Sequence, residues 1–110
     1  MKALLLHNDK VSYQTGVEVP KLTSLYNVLV KVYYAGICRT DIGIAKGVVP
    51  ACEDVVLGHE FCGKIVGFFN GGDCSDGWKI GDVVSVNPMA FGSAEEMMCG
   101  KDCDGAFADY

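Results

Sequence analysis

Apolar and polar residues alternate along several short stretches of the chain, and this alternation predicts β-strands. Residues 27–35 carry the clearest pattern, because β-branched and aromatic side chains crowd this stretch. Gly36 ends the stretch. Further strands are predicted over residues 3–7, 11–13, 61–69, 83–86 and 105–110. Short strands separated by glycine-containing turns favour a mainly β fold, either a small barrel or a sandwich.

Two short helical segments are predicted between the strands. Thr40 is a suitable N-cap for a helix over residues 41–45, and Gly47 would close that helix. Residues 93–96 have the sequence pattern of a capping box, which predicts a single helical turn over residues 94–99. The sequence therefore predicts a mainly β domain with one or two short helices.

Length and composition indicate one ordinary globular domain. The 110 residues fit a single domain, and 50% of them are apolar and 21% are charged. The net charge of −5 and the lack of a lysine and arginine cluster argue against a nucleic-acid partner. No apolar run approaches the roughly 20 residues of a membrane span, and the apolar start is too short for a signal peptide. A cytoplasmic protein with reduced cysteines is therefore expected.

Two short segments, residues 38–41 and 58–60, carry the side chains with the most chemistry. Cys38 and His59 provide a thiolate and an imidazole, which are ligand types that Zn²⁺ takes in tetrahedral sites. A carboxylate lies beside each of them and could orient the imidazole or tune a metal. The spacing is not one of the short metal-ligand spacings, so an inert buried thiol and a core histidine remain alternatives. His7 is predicted to lie on an edge strand without chemistry.

Four segments extend this pattern over most of the chain, namely residues 28–41, 57–66, 79–88 and 105–110. In this order they closely resemble the N-terminal catalytic domain of the zinc-dependent medium-chain alcohol dehydrogenases, the group that includes sorbitol and threonine dehydrogenases. The resemblance covers nearly the whole chain. It implies that residues 1–110 form a GroES-like small β barrel.

The resemblance also implies roles for the residues of the two segments. Cys38 and His59 would be two ligands of a catalytic zinc ion. Glu60 would lie near the zinc as an exchangeable ligand or a group that takes part in catalysis, and a solvated acid is the alternative. Asp41 would accept the other ring N–H of His59, although it would also suit the first turn of a helix.

Thr40 and Arg39 complete the implied site. Thr40 occupies the hydroxyl position beside the zinc and would take the proton of the substrate alcohol, which is compatible with its use as a helix cap. Arg39 resembles the position that meets the cofactor pyrophosphate, and a surface arginine is the alternative. The implied reaction oxidises a small-molecule alcohol, with zinc as Lewis acid and NAD or NADP as hydride acceptor. The parent enzyme would be a homo-oligomer.

Three departures from the family pattern matter. Gly43 stands where some members have a histidine that continues the proton relay. Only Cys99 and Cys103 lie where many members hold a structural zinc with four cysteines, so no structural zinc is expected. A metal held by these two thiols and Asp102 is the less favoured alternative. The remaining zinc ligand and the nucleotide-binding domain would lie beyond Tyr110.

These expectations leave three functional hypotheses. The leading one is the zinc-binding N-terminal portion of an NAD(P)-dependent alcohol or polyol dehydrogenase, which would be inactive by itself. A zinc-free reductase of the same superfamily is the second, although the combination of Cys38, His59 and Glu60 argues against it. The third is a stand-alone GroES-like module that binds a partner or assembles with itself.

Overall fold

The computed structural model describes residues 1–24, 27–71, 77–90 and 97–110. Strands dominate these residues, which confirms the mainly β prediction. A single turn of 3₁₀ helix, Phe69–Gly71, follows the fifth strand. In chain order the elements are β1 (Lys2–His7), β2 (Lys10–Thr15), β3 (Val28–Gly36), α1 (Arg39–Ala45), β4 (Val55–Val56), β5 (Glu60–Phe68), β6 (Val83–Ser85), β7 (Met89–Ala90) and β8 (Met97–Met98).

The described strands form three antiparallel sheets, with the orders β2-β1-β4, β3-β5-β6 and β7-β8, and these sheets do not close into one barrel. A tight turn at Asn8 and Asp9 joins β1 to β2, and both residues have positive φ angles of 49° and 56°. Asn and Asp tolerate this left-handed conformation better than most residues, which explains the turn that the sequence predicts here. β1 is the central strand of its sheet, so the prediction that His7 lies on an edge strand is wrong.

The C-terminal segment, residues 104–110, connects the two three-stranded sheets. The Leu4 N–H donates to the Phe107 carbonyl at 2.8 Å, and the Val32 N–H donates to the Asp109 carbonyl at 3.0 Å. Because the segment divides its hydrogen bonds between two sheets, it forms one isolated bridge, between Ala3 and Ala108, and no continuous ladder. The prediction of a strand over residues 105–110 is therefore wrong, because this segment forms a single bridge.

Helix α1 begins two residues earlier than the sequence predicts. Its N-cap is Cys38 and not Thr40, because the Asp41 carboxylate accepts the Cys38 backbone N–H at 2.8 Å and stabilises this start. The helix ends at Ala45, and Gly47 follows with a φ of +69°, the left-handed conformation that commonly ends helices.

The described part of the predicted helical turn over residues 94–99 contains a strand and no helix. Met97–Met98 form β8, which pairs with β7, so the C-terminal part of that prediction is wrong. Residues 91–96, which include the proposed capping box, lie outside the described residues. Pairing to β7 is a tertiary contact that a local helix signal does not contain.

The buried core fixes α1 against the first sheet. Ile44 of α1 packs with Leu6 of β1, Val55 of β4 and Leu57, and Phe107 of the C-terminal segment covers this cluster. Apolar side chains of both three-stranded sheets also line an open cavity of about 810 Å³. Within the described ranges, no helix has the length and apolar character that a bilayer span requires. The start of α1 is thus held at a defined position beside the ends of β3 and β5.

Candidate metal centre

Antiparallel pairing of β3 and β5 brings the two chemistry-bearing segments together. Gly36 and Glu60 are paired at the end of this ladder, where β3 finishes and β5 begins. Cys38 follows β3 by two residues, and His59 directly precedes β5. Adjacent strand ends in an antiparallel pair lie side by side, so residues far apart in sequence become neighbours. The fold therefore supplies the proximity that the Cys38–His59 spacing alone does not indicate.

Three possible metal ligands converge at this point. The Cys38 sulfur, a ring nitrogen of His59 and a carboxylate oxygen of Glu60 all lie within 4.8 Å of one another. Ligand atoms around a tetrahedral zinc ion lie about 3.3–3.8 Å apart for bonds of the usual length, so small side-chain adjustments suffice to hold one. His59 is buried, Cys38 is half-buried and Glu60 is exposed. The donor set and its spacing fit a zinc ion that is reachable from solvent on the Glu60 side.

The Asp41 carboxylate contacts both of the buried donor residues. Its Oδ2 atom accepts the Cys38 backbone N–H, and its Oδ1 atom lies 3.2 Å from Nδ1 of His59. The two side chains are only 4% and 7% exposed, yet Oδ1 and Nδ1 are close without an aligned hydrogen bond between them or to any other described residue. Burial of such polar atoms is unfavourable unless something compensates it. A slight rotation of the ring on binding a metal would align the pair, so these atoms also fit the zinc site.

Three glycines hold the peptide that precedes His59. Gly58 has a φ of +95°, and Gly100 and Gly105 pack directly on its backbone. A Cβ atom at Gly105 would lie 2.0 Å from the Gly58 carbonyl oxygen, and one at Gly100 would lie 2.6 Å from it. The Ala106 N–H donates to the same oxygen at 2.9 Å. We call Gly58, Gly100 and Gly105 the glycine contact, and it leaves no room for a larger residue beside His59.

The remaining predicted site residues lie around the donor group. Thr40 is half-buried in the first turn of α1, and its hydroxyl oxygen lies 3.8 Å from the Cys38 sulfur. His59 and Glu60 line an open cleft of about 540 Å³. Arg39 is the first residue of α1 and is exposed. The structure therefore brings together five of the six predicted residues and leaves Arg39 at the adjacent surface.

Gly43 has a packing role that the sequence does not reveal. A Cβ atom at this position would lie 2.7 Å from the nearest methyl carbon of Val49, because the chain after α1 folds back onto the helix. The Val48 and Val49 N–H groups both donate to the Gly43 carbonyl, at 2.9 and 3.2 Å. A side chain at position 43 would require Val49 to shift. The presence of glycine at this position therefore fits the local packing.

A second group of possible ligands lies beside the first sheet, where the sequence predicts no site. His7, Glu53 and Asp54 place donor atoms within 4.8 Å of one another, and all three are exposed. Nδ1 of His7 contacts Asp54 and lies 3.5 Å from the Glu53 carboxylate, so these side chains satisfy one another. β4 pairs with β1 and carries the two acids to His7. A two-residue strand has no detectable alternation, and so the sequence held no signal for this pairing.

The fold and the Cys–His–carboxylate group define a known class of domain. Residues 25–110 match the family described as alcohol dehydrogenase GroES-like domain. The match covers most of the chain, and the chain belongs to this family.

Individual relatives agree with that assignment. The chain is 35% identical to an NAD-dependent alcohol dehydrogenase of Sulfolobus acidocaldarius over 94% of its length, and 32% identical to a sorbitol dehydrogenase of Halalkalibacterium halodurans over all of it. The crystal structure of an alcohol dehydrogenase from Aeropyrum pernix superimposes with a TM-score of 0.83, at 26% identity and 99% coverage of this chain. The chain spans 32%, 30% and 36% of these proteins, respectively, or about a third of each.

Proposed function

We propose that residues 1–110 are the metal-binding N-terminal portion of a zinc-dependent, NAD(P)-linked alcohol or polyol dehydrogenase. The observation that carries the proposal is the convergence of donor atoms from Cys38, His59 and Glu60 over the buried Asp41 carboxylate. The names of the relatives, NAD-dependent alcohol dehydrogenase and sorbitol dehydrogenase, support the class of substrate and cofactor. In this proposal a nucleotide-binding domain belongs to a longer chain, and this portion alone does not turn over substrate.

Cys38 and His59 would be the permanent metal ligands, and Glu60 an exchangeable one. Sulfur, imidazole and carboxylate are the donor types of catalytic zinc sites. With its proton on Nδ1, the His59 ring donates towards Asp41 and keeps the Nε2 lone pair free for a metal. When bound, zinc would supply Lewis-acid stabilisation of an alkoxide oxygen. Asp41 then fixes the imidazole orientation and, through the Cys38 N–H, the start of α1.

Thr40 would move the alcohol proton. Its hydroxyl lies next to the Cys38 sulfur and can accept one proton while donating another. Because Gly43 has no side chain to receive that proton, water or another group must carry it to solvent. Arg39, exposed beside the site, offers a guanidinium for the phosphates of the nicotinamide cofactor. A small-molecule alcohol would enter through the cleft lined by His59 and Glu60.

The proposal also includes the cellular setting. The five cysteines described by the structure are free thiols, which agrees with the reducing cytoplasm. The longer protein would act there as a homo-oligomer, as the family resemblance implies. Native mass spectrometry of the longer protein tests its oligomeric state.

Zinc analysis of matched cysteine variants tests the metal centre. The 110-residue chain is purified with zinc, and its metal content is measured together with that of Cys38→Ala and Cys52→Ala. Cys52 is an exposed thiol outside the donor group and serves as the control. We expect the wild type and Cys52→Ala to retain zinc and Cys38→Ala to lose it. Equal zinc in all three proteins would contradict the assignment of Cys38. Metal analysis of the longer protein separates the dehydrogenase from the zinc-free reductase, since a zinc-free longer protein would favour the reductase hypothesis.

A further inference from the structure

A pair of thiols lies in the turn that follows β8, outside the donor group of the metal centre. Cys99 and Cys103 are partners in an isolated parallel β-bridge. The Gly100 N–H donates to the Cys103 carbonyl at 2.8 Å, and the Cys99 N–H donates to the Pro88 carbonyl at 3.0 Å. These bonds fix both cysteine backbones. The two residues are therefore held side by side by the fold.

Asp102 stabilises the turn between the two cysteines. Its Oδ2 atom accepts the Met98 N–H at 3.0 Å, and its Oδ1 atom accepts from the Lys101 ammonium at 2.7 Å. The Asp102 backbone N–H also donates to the Met98 carbonyl at 2.9 Å. With these contacts the turn is ordered before any covalent bond forms. A disulfide in this position needs little rearrangement of the backbone.

The geometry meets the requirements of a disulfide. Residues paired across a β-bridge have Cα atoms about 5 Å apart, and disulfides accept Cα separations of about 4.4–6.8 Å. The side chain of Cys99 lies next to the Cys103 thiol. Burial, together with the neighbouring Cys99, raises the pKa of the Cys103 thiol to about 12. A thiol with a raised pKa is a weak first nucleophile, so Cys103 is assigned the second attack.

We propose that Cys99 and Cys103 are a redox-active dithiol that forms a reversible intramolecular disulfide with a small-molecule disulfide such as oxidised glutathione. The Cys99 thiolate attacks one glutathione sulfur, which forms a mixed disulfide and expels one glutathione thiolate. Cys103 then gives up its proton and attacks the Cys99 sulfur, and the second glutathione leaves. Two protein thiols are oxidised, one glutathione disulfide is reduced, and the two thiol protons end on the two released glutathiones.

Cys52 is the competing thiol and the natural control. Its backbone N–H donates to the Lys101 carbonyl at 2.8 Å, and its Sγ lies 3.6 Å from the Asp102 carbonyl oxygen. Cys52 thus packs on the outside of the same turn and is exposed. It faces backbone oxygen, whereas Cys99 faces Cys103. The proposal requires that oxidation joins Cys99 to Cys103 and leaves Cys52 out.

Tryptic mapping of the unmodified chain identifies the pairing directly. Lys101 lies between the two cysteines, so trypsin separates a peptide of residues 80–101, whose only cysteine is Cys99, from residues 102–110, whose only cysteine is Cys103. The reduced 110-residue chain is incubated with oxidised glutathione, free thiols are alkylated, and the digest is analysed by mass spectrometry. We expect these two peptides to appear joined, and to separate again after reduction with dithiothreitol.

Serine variants of the three cysteines test the pairing further. Cys52→Ser should leave the joined peptides unchanged, while Cys99→Ser and Cys103→Ser should abolish them. A zinc ion held by both thiols would protect them from alkylation without joining the peptides, and would overturn the proposal. Separate glutathione adducts on Cys99 and Cys103, or a link from either to Cys52, would also overturn it. The wild-type map decides even if a serine variant fails to fold.

Discussion

Two groups in this protein bring an imidazole within reach of carboxylates, and their surroundings make them different. At the metal centre His59 and Asp41 are almost completely buried and lie close without an aligned hydrogen bond. At the second group His7 contacts Glu53 and Asp54 in the open, with side chains more than half exposed. Exposed contacts of this kind contribute little to the stability of the fold, since solvent screens them. Both groups therefore hold possible metal ligands close together. Only the metal centre combines this proximity with buried polar atoms that lack a hydrogen-bond partner among the described residues.

The largest expected difference is between the two histidines. His59→Ala removes a buried nitrogen donor and should lower zinc affinity more than about 100-fold, since even the loss of supporting residues costs about 10–100-fold. His7→Ala should leave zinc affinity within about twofold. Competition with a zinc-binding dye measures both. A comparable loss in the two variants would show that the exposed group contributes to metal binding.

The carboxylates that contact the two histidines should also differ in their effect on zinc affinity. Asp41→Asn still accepts the Cys38 N–H, but it presents a neutral amide to His59, so zinc affinity should fall about 10–100-fold. Asp54→Asn, at the exposed group, should have no measurable effect. Titration of each variant with a competing chelator gives the values. An Asp41→Asn protein with wild-type affinity would remove Asp41 from the metal centre.

Substitution of a glycine tests how the backbone supports His59. Gly100→Ala places a methyl group against the Gly58 carbonyl at a positive φ of 76° and should lower the free energy of unfolding by about 2 kcal/mol. Gly16→Ala is the control, because Gly16 also has a positive φ but has open space around it, and its cost should be about 1 kcal/mol. Urea denaturation measures both. Equal effects would mean that close packing at the glycine contact adds nothing.

The smallest effect concerns Asp102, a half-buried carboxylate outside both groups. The hydrogen bond from Lys101, followed by that from the Met98 N–H, lowers the pKa of Asp102 below its usual 3.8. The resulting stability is present above the unfolded pKa and is lost as the pH falls through the lower folded pKa. Asp102→Asn should therefore cost less than about 1 kcal/mol at pH 7, and less still in acid. Unfolding free energies at several pH values check this, and a difference that grows in acid would contradict it.

The sequence predicts the features whose signals are local. Alternation identified β3 and β5, and the short motifs around Cys38 and His59 identified the residues of the metal centre, whose roles remain predictions. These signals are contained in a few consecutive side chains, so they can be recognised without knowledge of the fold. The helix cap was misplaced by two residues because Thr40 is a common cap residue, whereas the start at Cys38 depends on the contact of its N–H with Asp41.

Features that depend on distant pairing were not predictable. β4 has only two residues, and β8 was predicted as part of a helical turn because its pairing with β7 is a tertiary contact. The glycine contact joins Gly58 to residues more than forty positions later, so a single sequence shows three glycines and no relation between them. Close packing between distant backbones has no local pattern, and it becomes visible only in three dimensions.

The glycine contact also has a consequence for the order of events during protein synthesis. Cys38 and His59 leave the ribosome well before Gly105 and Phe107, whose backbone groups hold the peptide next to His59. At about 5–20 residues per second, the roughly 50 residues between Gly58 and Phe107 take about 2–10 seconds to appear. During that interval the nascent chain carries both metal ligands without the backbone that positions one of them. The backbone around His59 is therefore completed only after residues 105–107 have emerged and docked, well after both buried ligands have been made.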